Sequence, residues 1–147
     1  MIEIRRSPEL EERVRESRSA MERSDDGWFA EHTAEAGDVL FYGSAPDEEF
    51  RGRDAVLSLT IAEARAMNEA AGVSEDEDPQ VECFEAGDAG WVVVHGHFKL
   101  ADGSTVPTRS VTVLVRDGAT WKRVFGAVHV VVSNDLLVPG SPLAAPG

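Results

Sequence analysis

The sequence predicts an α+β domain in which helices come first and strands follow. Three runs rich in β-branched residues stand in a row in the second half, at 91–100, 106–116 and 121–132. Asp-Gly pairs at 102–103 and 117–118 separate them and are typical of hairpin turns. Because the helical signals precede this block of strands, the order favours α+β over an alternating α/β fold.

The first third of the chain carries start signals for two helices. Ser7 suits the N-cap of the first helix and Pro8 its first position. An apolar stripe follows at helical spacing (Leu10, Val14, Met21). A second N-cap signal at 24–26 predicts a short helix.

The middle of the chain predicts short strands around one long helix. We expect a strand at 39–42, a returning strand over 48–52, and a helix over 53–71 that Gly72 ends. The buried side of this helix should carry apolar residues at helical spacing (Val56, Leu57, Ile61, Ala64, Met67). A further strand at 81–85 should pair with the first strand of the later block.

Composition limits the class of protein. The length of 147 residues predicts one domain, at 1–137, with a flexible tail at 138–147. The net charge of -13 argues against binding to nucleic acid or to an anionic membrane. The single Cys83 excludes an intrachain disulfide and a multi-cysteine zinc site. We expect a cytoplasmic protein without metal or cofactor, and the excess of Arg over Lys is typical of a GC-rich bacterial genome.

Strict alternation along the strands divides their side chains between two faces. In the strand at 91–100 one face carries the odd-numbered residues (Trp91, Val93, His95, His97, Lys99). In the strand at 121–132 one face should carry the odd-numbered residues (Trp121, Arg123, Phe125, Ala127, His129, Val131). Both faces are largely apolar, so we expect one cover from the chain's own helices and another from a second subunit.

Three segments of the chain carry a family resemblance. The first runs from Gly43-Ser44-Ala45-Pro46-Asp47-Glu48 to Gly52-Arg53-Asp54-Ala55-Val56, before the long helix. The second is Asp88-Ala89-Gly90-Trp91, at the entry to a long strand. The third is Trp121-Lys122-Arg123-Val124, in the last strand, which ends in Val132-Ser133-Asn134. In this order they resemble SnoaL-like proteins of the nuclear-transport-factor-2-like superfamily, and the resemblance covers residues 7–135.

This resemblance implies a curved sheet wrapped around three helices in a cone, usually as a homodimer, with a pocket at the wide end. It does not imply one reaction, because the superfamily includes ketosteroid isomerases, polyketide cyclases, dehydratases and a kinase association domain. Many relatives carry His and then Ser, two residues apart, in the last strand. The corresponding positions here are Ala127 and His129, so a role tied to that pair does not transfer directly.

Histidines supply the candidate catalytic groups. His95 and His97 lie two apart on one strand face, and His129 shares the sheet. Imidazoles in this arrangement can act as acid and base near neutral pH, or bind a metal with a further ligand. They can equally be half-buried polar residues bonded to neighbours or to a partner subunit. Arg109 is the fourth candidate, because a buried guanidinium needs a carboxylate or a ligand anion.

Aromatic and acidic side chains supply the candidate ligand-binding set (Tyr42, Trp28, Trp91, Phe125, Glu48). Tyr42 could donate to a developing oxyanion, and Asp47 or Glu48 could act as a base in an apolar pocket. The structural alternatives are a core tyrosine, a capped turn, and pairing of Arg109 with Asp47, Glu48 or Glu49. Cys83, flanked by Glu82 and Glu85, is not expected to act as a nucleophile.

Two hypotheses for function follow. In the first, the cone binds a small apolar, carbonyl-bearing ligand, with cofactor-free acid-base chemistry of the isomerase, cyclase or dehydratase kind. His95, His97 or His129 would then move protons, and Tyr42 and Arg109 would stabilise negative charge. In the second, the chain is a non-catalytic module for homodimerisation or for binding another protein. The direction in which the histidines point separates the two.

Overall fold

The computed structural model describes residues 1–35, 37–69, 79–99 and 102–132. These residues form three helices and one curved, unclosed sheet of seven strands, so the predicted α+β class is confirmed. In chain order the elements are β1 (Arg5–Arg6), α1 (Pro8–Arg23), α2 (Asp26–Glu31), β2 (Leu40–Tyr42), β3 (Glu49–Arg51), α3 (Arg53–Glu69), β4 (Gln80–Ala86), β5 (Ala89–Lys99), β6 (Thr105–Asp117) and β7 (Thr120–Val130). The predicted tail at 138–147 and Gly72 lie outside the described residues.

The predicted three-strand meander forms the centre of the sheet. The strand order is β1-β4-β5-β6-β7-β2-β3, and neighbouring strands are antiparallel except β2 and β7, which are parallel. Gly118, with φ of +62°, closes the hairpin between β6 and β7, where a left-handed conformation favours glycine. The sequence predicted neither β1, which has only two residues, nor the parallel pair.

The two N-terminal helices start where their cap signals predict. The Ser7 hydroxyl oxygen accepts a hydrogen bond from the Leu10 backbone N–H at 3.2 Å, and Pro8 occupies the first helical position. The Asp25 side chain accepts from the Trp28 N–H at 3.0 Å and caps α2. Each cap satisfies a backbone donor that the first helical turn leaves without a partner.

The helices pack on one face of the sheet, and we call this the inner face. Leu10 of α1 lies in one buried cluster with side chains of the sheet (Cys83, Val92, Leu114, Trp121). A second cluster joins the three helices (Ala20, Phe29, Leu57, Ala64). A third joins α3 to the β2 side of the sheet (Ala34, Val39, Val56). We call the opposite side of the sheet the outer face.

A β-bulge at the start of β7 changes the predicted faces of that strand. Val113 pairs with Phe125, but the next residue of β6, Leu114, pairs with Arg123. Val124 is therefore an extra residue, and the side chains before and after it change sides. The prediction that Arg123 and Phe125 share a face was wrong, because Arg123 lies on the inner face with Leu114 and Phe125 on the outer face with Val113.

Candidate functional site

Three of the four predicted catalytic residues form one row across neighbouring strands. His95 of β5 pairs with Arg109 of β6, and Arg109 pairs with His129 of β7. Residues that are paired across antiparallel strands point to the same side of the sheet. Val92 faces α1, and His95 lies three residues further along a regular strand, so the whole row lies on the outer face.

Solvent reaches this row. His95 is partly buried, and His97, Arg109 and His129 are exposed. The nearest acid to His95 is Glu82, whose Oε2 lies 3.8 Å from the His95 Nε2. The exposure of Arg109 corrects the expectation of a buried guanidinium. Its expected pairing with Asp47, Glu48 or Glu49 does not form among the described residues, and Glu49 instead pairs with Arg51.

Outer-face aromatic residues account for most of the predicted ligand-binding set. Tyr42 lies edge-on to Phe125, with ring centroids 5.9 Å apart. Trp91 stacks on Phe84 at 5.8 Å. Together with neighbouring valines and one alanine they form the outer apolar band, whose members are all partly exposed (Tyr42, Phe84, Trp91, Val93, Val111, Val113, Phe125, Ala127). The predicted contact Glu48 is exposed in the turn before β3.

Trp28 is the one predicted ligand-binding residue on the helical side of the sheet. It stacks on His32 with ring centroids 4.0 Å apart. The Arg13 guanidinium lies over the Trp28 ring, 4.1 Å from the ring centroid. Arg13 also donates to the backbone carbonyls of Trp121 at 3.3 Å and His32 at 3.4 Å. Trp28 therefore anchors a cation beside the start of β7.

A second inner-face cation, Arg123, was missed by sequence reasoning. Its Nη2 donates to the hydroxyl oxygens of Thr60 at 2.8 Å and Thr33 at 3.5 Å. Both hydroxyls donate in turn to helical carbonyls, Thr33 to Phe29 and Thr60 to Val56. Burial lowers the pKa of the Arg123 guanidinium. The inner face therefore holds a partly buried cation whose side-chain hydrogen-bond partners are neutral.

Two surface grooves lie at the edges of the sheet. One, of about 430 Å³, lies between the N-terminal residues and the end of β4 (Met1, Ile2, Glu3, Arg5, Glu85, Ala86, Gly87). The other, of about 370 Å³, lies between α1 and β4 (Glu11, Val14, Arg15, Arg18, Pro79, Val81). Val14 and Val81 of the second groove also pack against the buried cluster around Leu10. This groove thus borders the inner face directly.

Comparison with known proteins identifies the family. A model of the SnoaL-like domain matches residues 11–132. The chain belongs to the SnoaL-like domain family. No curated protein matches it.

Solved structures agree with this SnoaL-like fold. An NTF2-like protein of unknown function from Pseudomonas putida is 14% identical over 97% of this chain and 99% of its own, with a TM-score of 0.61. A protein of unknown function from Pectobacterium atrosepticum is 16% identical, covers 84% of this chain and 88% of its own, and has a TM-score of 0.62. An NTF2-like protein with a cystatin-like fold from Novosphingobium aromaticivorans is 17% identical over 91% and 85%, with a TM-score of 0.55. At these identities the likeness concerns the fold alone.

Other features of the SnoaL-like chain limit its chemistry. Burial, followed by the charge of Glu11, raises the pKa of the Cys83 thiol to about 11, so this thiol stays protonated near neutral pH. The direction of this pKa shift agrees with the sequence prediction, although burial outweighs the neighbouring carboxylates as its cause.

Among the described residues, no group of three His, Cys, Asp or Glu side chains could hold a metal ion. No helix in the same part of the chain is both long and apolar enough to cross a membrane.

Proposed function

We propose that this SnoaL-like domain binds a small apolar, carbonyl-bearing molecule between the inner face and the helices. The supporting observation is partial exposure of inward-pointing side chains on the central strands (Val94, Ser110, Thr112, Val128, Val130). In a filled core these positions would be buried like Val92 and Leu114, which are 6% and 2% exposed. Their exposure indicates that solvent reaches the concave side of the central strands.

The chemistry of this surface suits such a ligand. Val94 and Val128 provide an apolar wall, and the hydroxyls of Ser110 and Thr112 provide donors for a carbonyl oxygen. α1 packs along β4 and β5, and α3 packs on β2 and β3, so the helices flank the central strands from both sides. A few polar groups on an otherwise apolar concave surface are typical of small-molecule sites.

The proposal is one of binding rather than catalysis by the histidine row. A general acid or base must come within hydrogen-bonding distance of the reacting group. His95 and His129 point away from the inner face, and Tyr42 lies against Phe125 on the same outer side. Proton transfer by these groups to a ligand on the inner face would require them to reach through the sheet.

Titration calorimetry with acetonaphthone, a neutral naphthyl ketone, tests the binding proposal. We expect a Kd on the order of 100 μM for the wild type, typical of a small apolar ligand in a partly open site. Val128→Trp should weaken binding at least 10-fold by filling the space, whereas Ala119→Trp, in the exposed hairpin turn, should not. Equal binding by both variants would contradict the assigned location, and no binding by any of them would reject the proposal.

A second candidate function, homodimerisation, is favoured by the outer apolar band. This band combines two large aromatic pairs with aliphatic side chains, and each member is partly exposed in the single chain. Aromatic enrichment with few charges is typical of the core of a protein–protein interface. A second copy of the chain that covers the band would remove this apolar surface from water on both subunits.

Sedimentation equilibrium of the wild type and of Val111→Glu tests this candidate. Val111 lies within the band, so a buried carboxylate there should weaken association at least 100-fold. Arg18→Glu changes the charge in the same direction on the exposed surface of α1 and should leave association nearly unchanged. A wild type that remains monomeric at micromolar concentrations would exclude homodimerisation.

A further inference from the structure

Most arginines of this chain find a carboxylate partner. Seven guanidinium groups form such ion pairs within the described residues (Arg5 with Glu85, Arg6 with Glu82, Arg15 with Glu12, Arg23 with Asp25, Arg51 with Glu49, Arg65 with Asp26, Arg116 with Glu9). Arg13 and Arg123, beside the inner face, form no ion pair with any described residue. Glu16 and Glu63 act on Arg13 and Arg123 respectively through their charge, without forming an ion pair with them.

The two inner cations also act on each other. Burial lowers the pKa of Arg13 to about 10, and the positive charge of Arg123 is the second cause. Two like charges that are withdrawn from water without an ion-paired carboxylate are unfavourable for the folded state. An anion bound between the sheet and the helices would relieve both the desolvation and the repulsion.

Arg13 has a structural reason for its position that Arg123 lacks. Arg13 donates to the His32 carbonyl just beyond α2, and Arg53 donates to the Ala30 carbonyl at 2.8 Å. The bond to Ala30 satisfies a carbonyl that the end of α2 leaves open, and the bond to His32 adds a second donor to a carbonyl that already accepts from a backbone N–H. The side-chain hydrogen bonds of Arg123, in contrast, come from Nη2 alone and go to two hydroxyls that are already anchored to helical carbonyls.

The position of Arg123 is held by its backbone as well. Its N–H donates to the His32 carbonyl at 2.9 Å, and its carbonyl accepts from the Ala34 N–H at 3.0 Å. With Nη2 fixed on Thr60, the Nε and Nη1 donors make no hydrogen bond within the described part of the chain. A guanidinium that is fixed at one corner and open at its other donors matches the two oxygens of a carboxylate.

We infer that Arg123 binds the carboxylate of an organic acid whose apolar part lies along the inner face, with Arg13 adding positive potential. This inference rests on the proposed binding function and narrows its ligand class from neutral carbonyl compounds to carboxylic acids. Thr60 and Thr33 position the guanidinium, and Val94 and Val128 contact the apolar part. Glu63, on α3, is the acidic side chain whose charge acts on Arg123, and it favours the charged guanidinium that the carboxylate needs.

A matched pair of ligands tests the inference separately from the binding proposal. Naphthoate and acetonaphthone share the naphthyl ring and differ in carrying a carboxylate or a neutral ketone. At constant ionic strength and neutral pH, calorimetry should show naphthoate binding at least 10-fold more tightly to the wild type. Arg123→Gln should remove this preference while leaving acetonaphthone binding within about 2-fold of the wild type, because the amide retains size without charge.

Two further variants control for unfolding and for general charge. Arg123→Lys keeps the charge but loses the fork of donors, so it should retain part of the naphthoate preference. Arg15→Gln removes an exposed guanidinium from α1 and should leave the preference unchanged. Circular dichroism of each variant confirms that it is folded before titration.

Each outcome of this experiment decides a different claim. Equal binding of the two ligands to the wild type, or a preference that Arg123→Gln preserves, overturns the carboxylate inference and leaves ketone binding standing. Loss of binding of both ligands in Arg123→Gln while the fold is intact assigns Arg123 a general structural role and also overturns it. No binding of either ligand to the wild type rejects both proposals.

Discussion

The inner and outer faces of β5, β6 and β7 are built from the same strands but treat apolar and charged groups in opposite ways. The inner face buries valine and leucine against α1 and keeps Arg123 with neutral hydroxyl partners. The outer face leaves its aromatic side chains partly exposed and sets Arg109 between two histidines in contact with solvent. Residue type alone therefore does not identify a site, because both faces offer cations and aromatic rings.

The difference also explains why the histidine row is a weak candidate for chemistry on a bound ligand. An enclosed site strengthens electrostatic interactions, whereas water and salt screen exposed charges. His95, Arg109 and His129 lie on the outer face, where water and salt screen their charges. Arg123 lies on the inner face and is largely withdrawn from water. A partner subunit on the outer apolar band would change this by shielding the row from water.

The largest expected effect comes from truncating adjacent valines on opposite faces of β5. Val92→Ala should lower the free energy of unfolding by about 2–3 kcal/mol, because it leaves a cavity in the cluster around Leu10. Val93→Ala should cost about 1 kcal/mol or less in a monomer, since Val93 is already partly exposed. Urea denaturation measures both values.

The dependence of these two costs on protein concentration reports whether the outer face is covered by a second copy. If a second copy covers the outer apolar band, the cost of Val93→Ala should grow as the concentration is raised, while that of Val92→Ala stays constant. Equal costs for the two variants at every concentration would show that the faces are equally buried, contrary to the structure.

A smaller effect distinguishes the filled and open parts of the inner face. A methyl group at Gly126 would come within 2.8 Å of the Phe41 ring, so Gly126→Ala should destabilise the fold by about 1–2 kcal/mol. At Gly96 the nearest atom would be the Thr108 hydroxyl oxygen at 3.6 Å, an ordinary contact. Gly96→Ala should therefore be neutral or slightly stabilising in thermal unfolding, and a loss equal to that of Gly126→Ala would contradict an open surface there.

The smallest effect concerns the edge of the sheet, where Ser7 links α1 to β4. Its hydroxyl donates to Glu85 at 2.5 Å and, with Arg5, holds the pKa of that carboxyl below its ordinary value. Ser7→Ala should cost about 1 kcal/mol at neutral pH, through the lost helix cap and the lost hydrogen bond. Ser19→Ala, on the exposed side of α1, is the matched control and should cost nothing.

The pH dependence of the Ser7→Ala effect has a definite sign. A carboxyl whose pKa is lower in the folded state contributes stability above its unfolded pKa and loses it as pH falls through the folded value. The cost of Ser7→Ala should therefore shrink in acid, until only the helix-cap contribution remains. A cost that is constant or rises between neutral and acidic pH would show that the Ser7–Glu85 bond does not contribute.

Local signals allowed much of the fold to be predicted from the sequence. Ser7 and Pro8 mark the start of α1 because a cap depends only on residues within one turn. The hairpins of the meander follow from turn residues between β-branched runs, and the SnoaL-like family was identified correctly from segments spread over most of the chain. Each of these features is determined by residues that lie close together in the sequence.

The location of the candidate site depends on tertiary packing, which residues adjacent in the sequence do not determine. Whether His95 faces the helices is decided by where α1 packs, and alternation fixes only that it faces the same side as Val93. Arg123 was placed on the wrong side relative to Phe125, because a bulge is defined by the pairing of two strands and leaves no reliable mark in either. The hydroxyl partners of Arg123 emerge only in the folded chain, where Thr33, two residues beyond α2, and Thr60 of α3 lie beside its guanidinium.

The extra residue Val124 reverses the alternation of side chains along β7. Substitutions at Arg123, before it, or at Val128, after it, alter what a ligand between sheet and helices would meet, whereas substitutions at Phe125, Ala127 or His129 alter what another molecule would meet outside. The two surfaces can therefore diverge independently during evolution within a single strand. In an alignment of relatives, a one-residue gap at this position would mark chains that reach the same arrangement without the insertion.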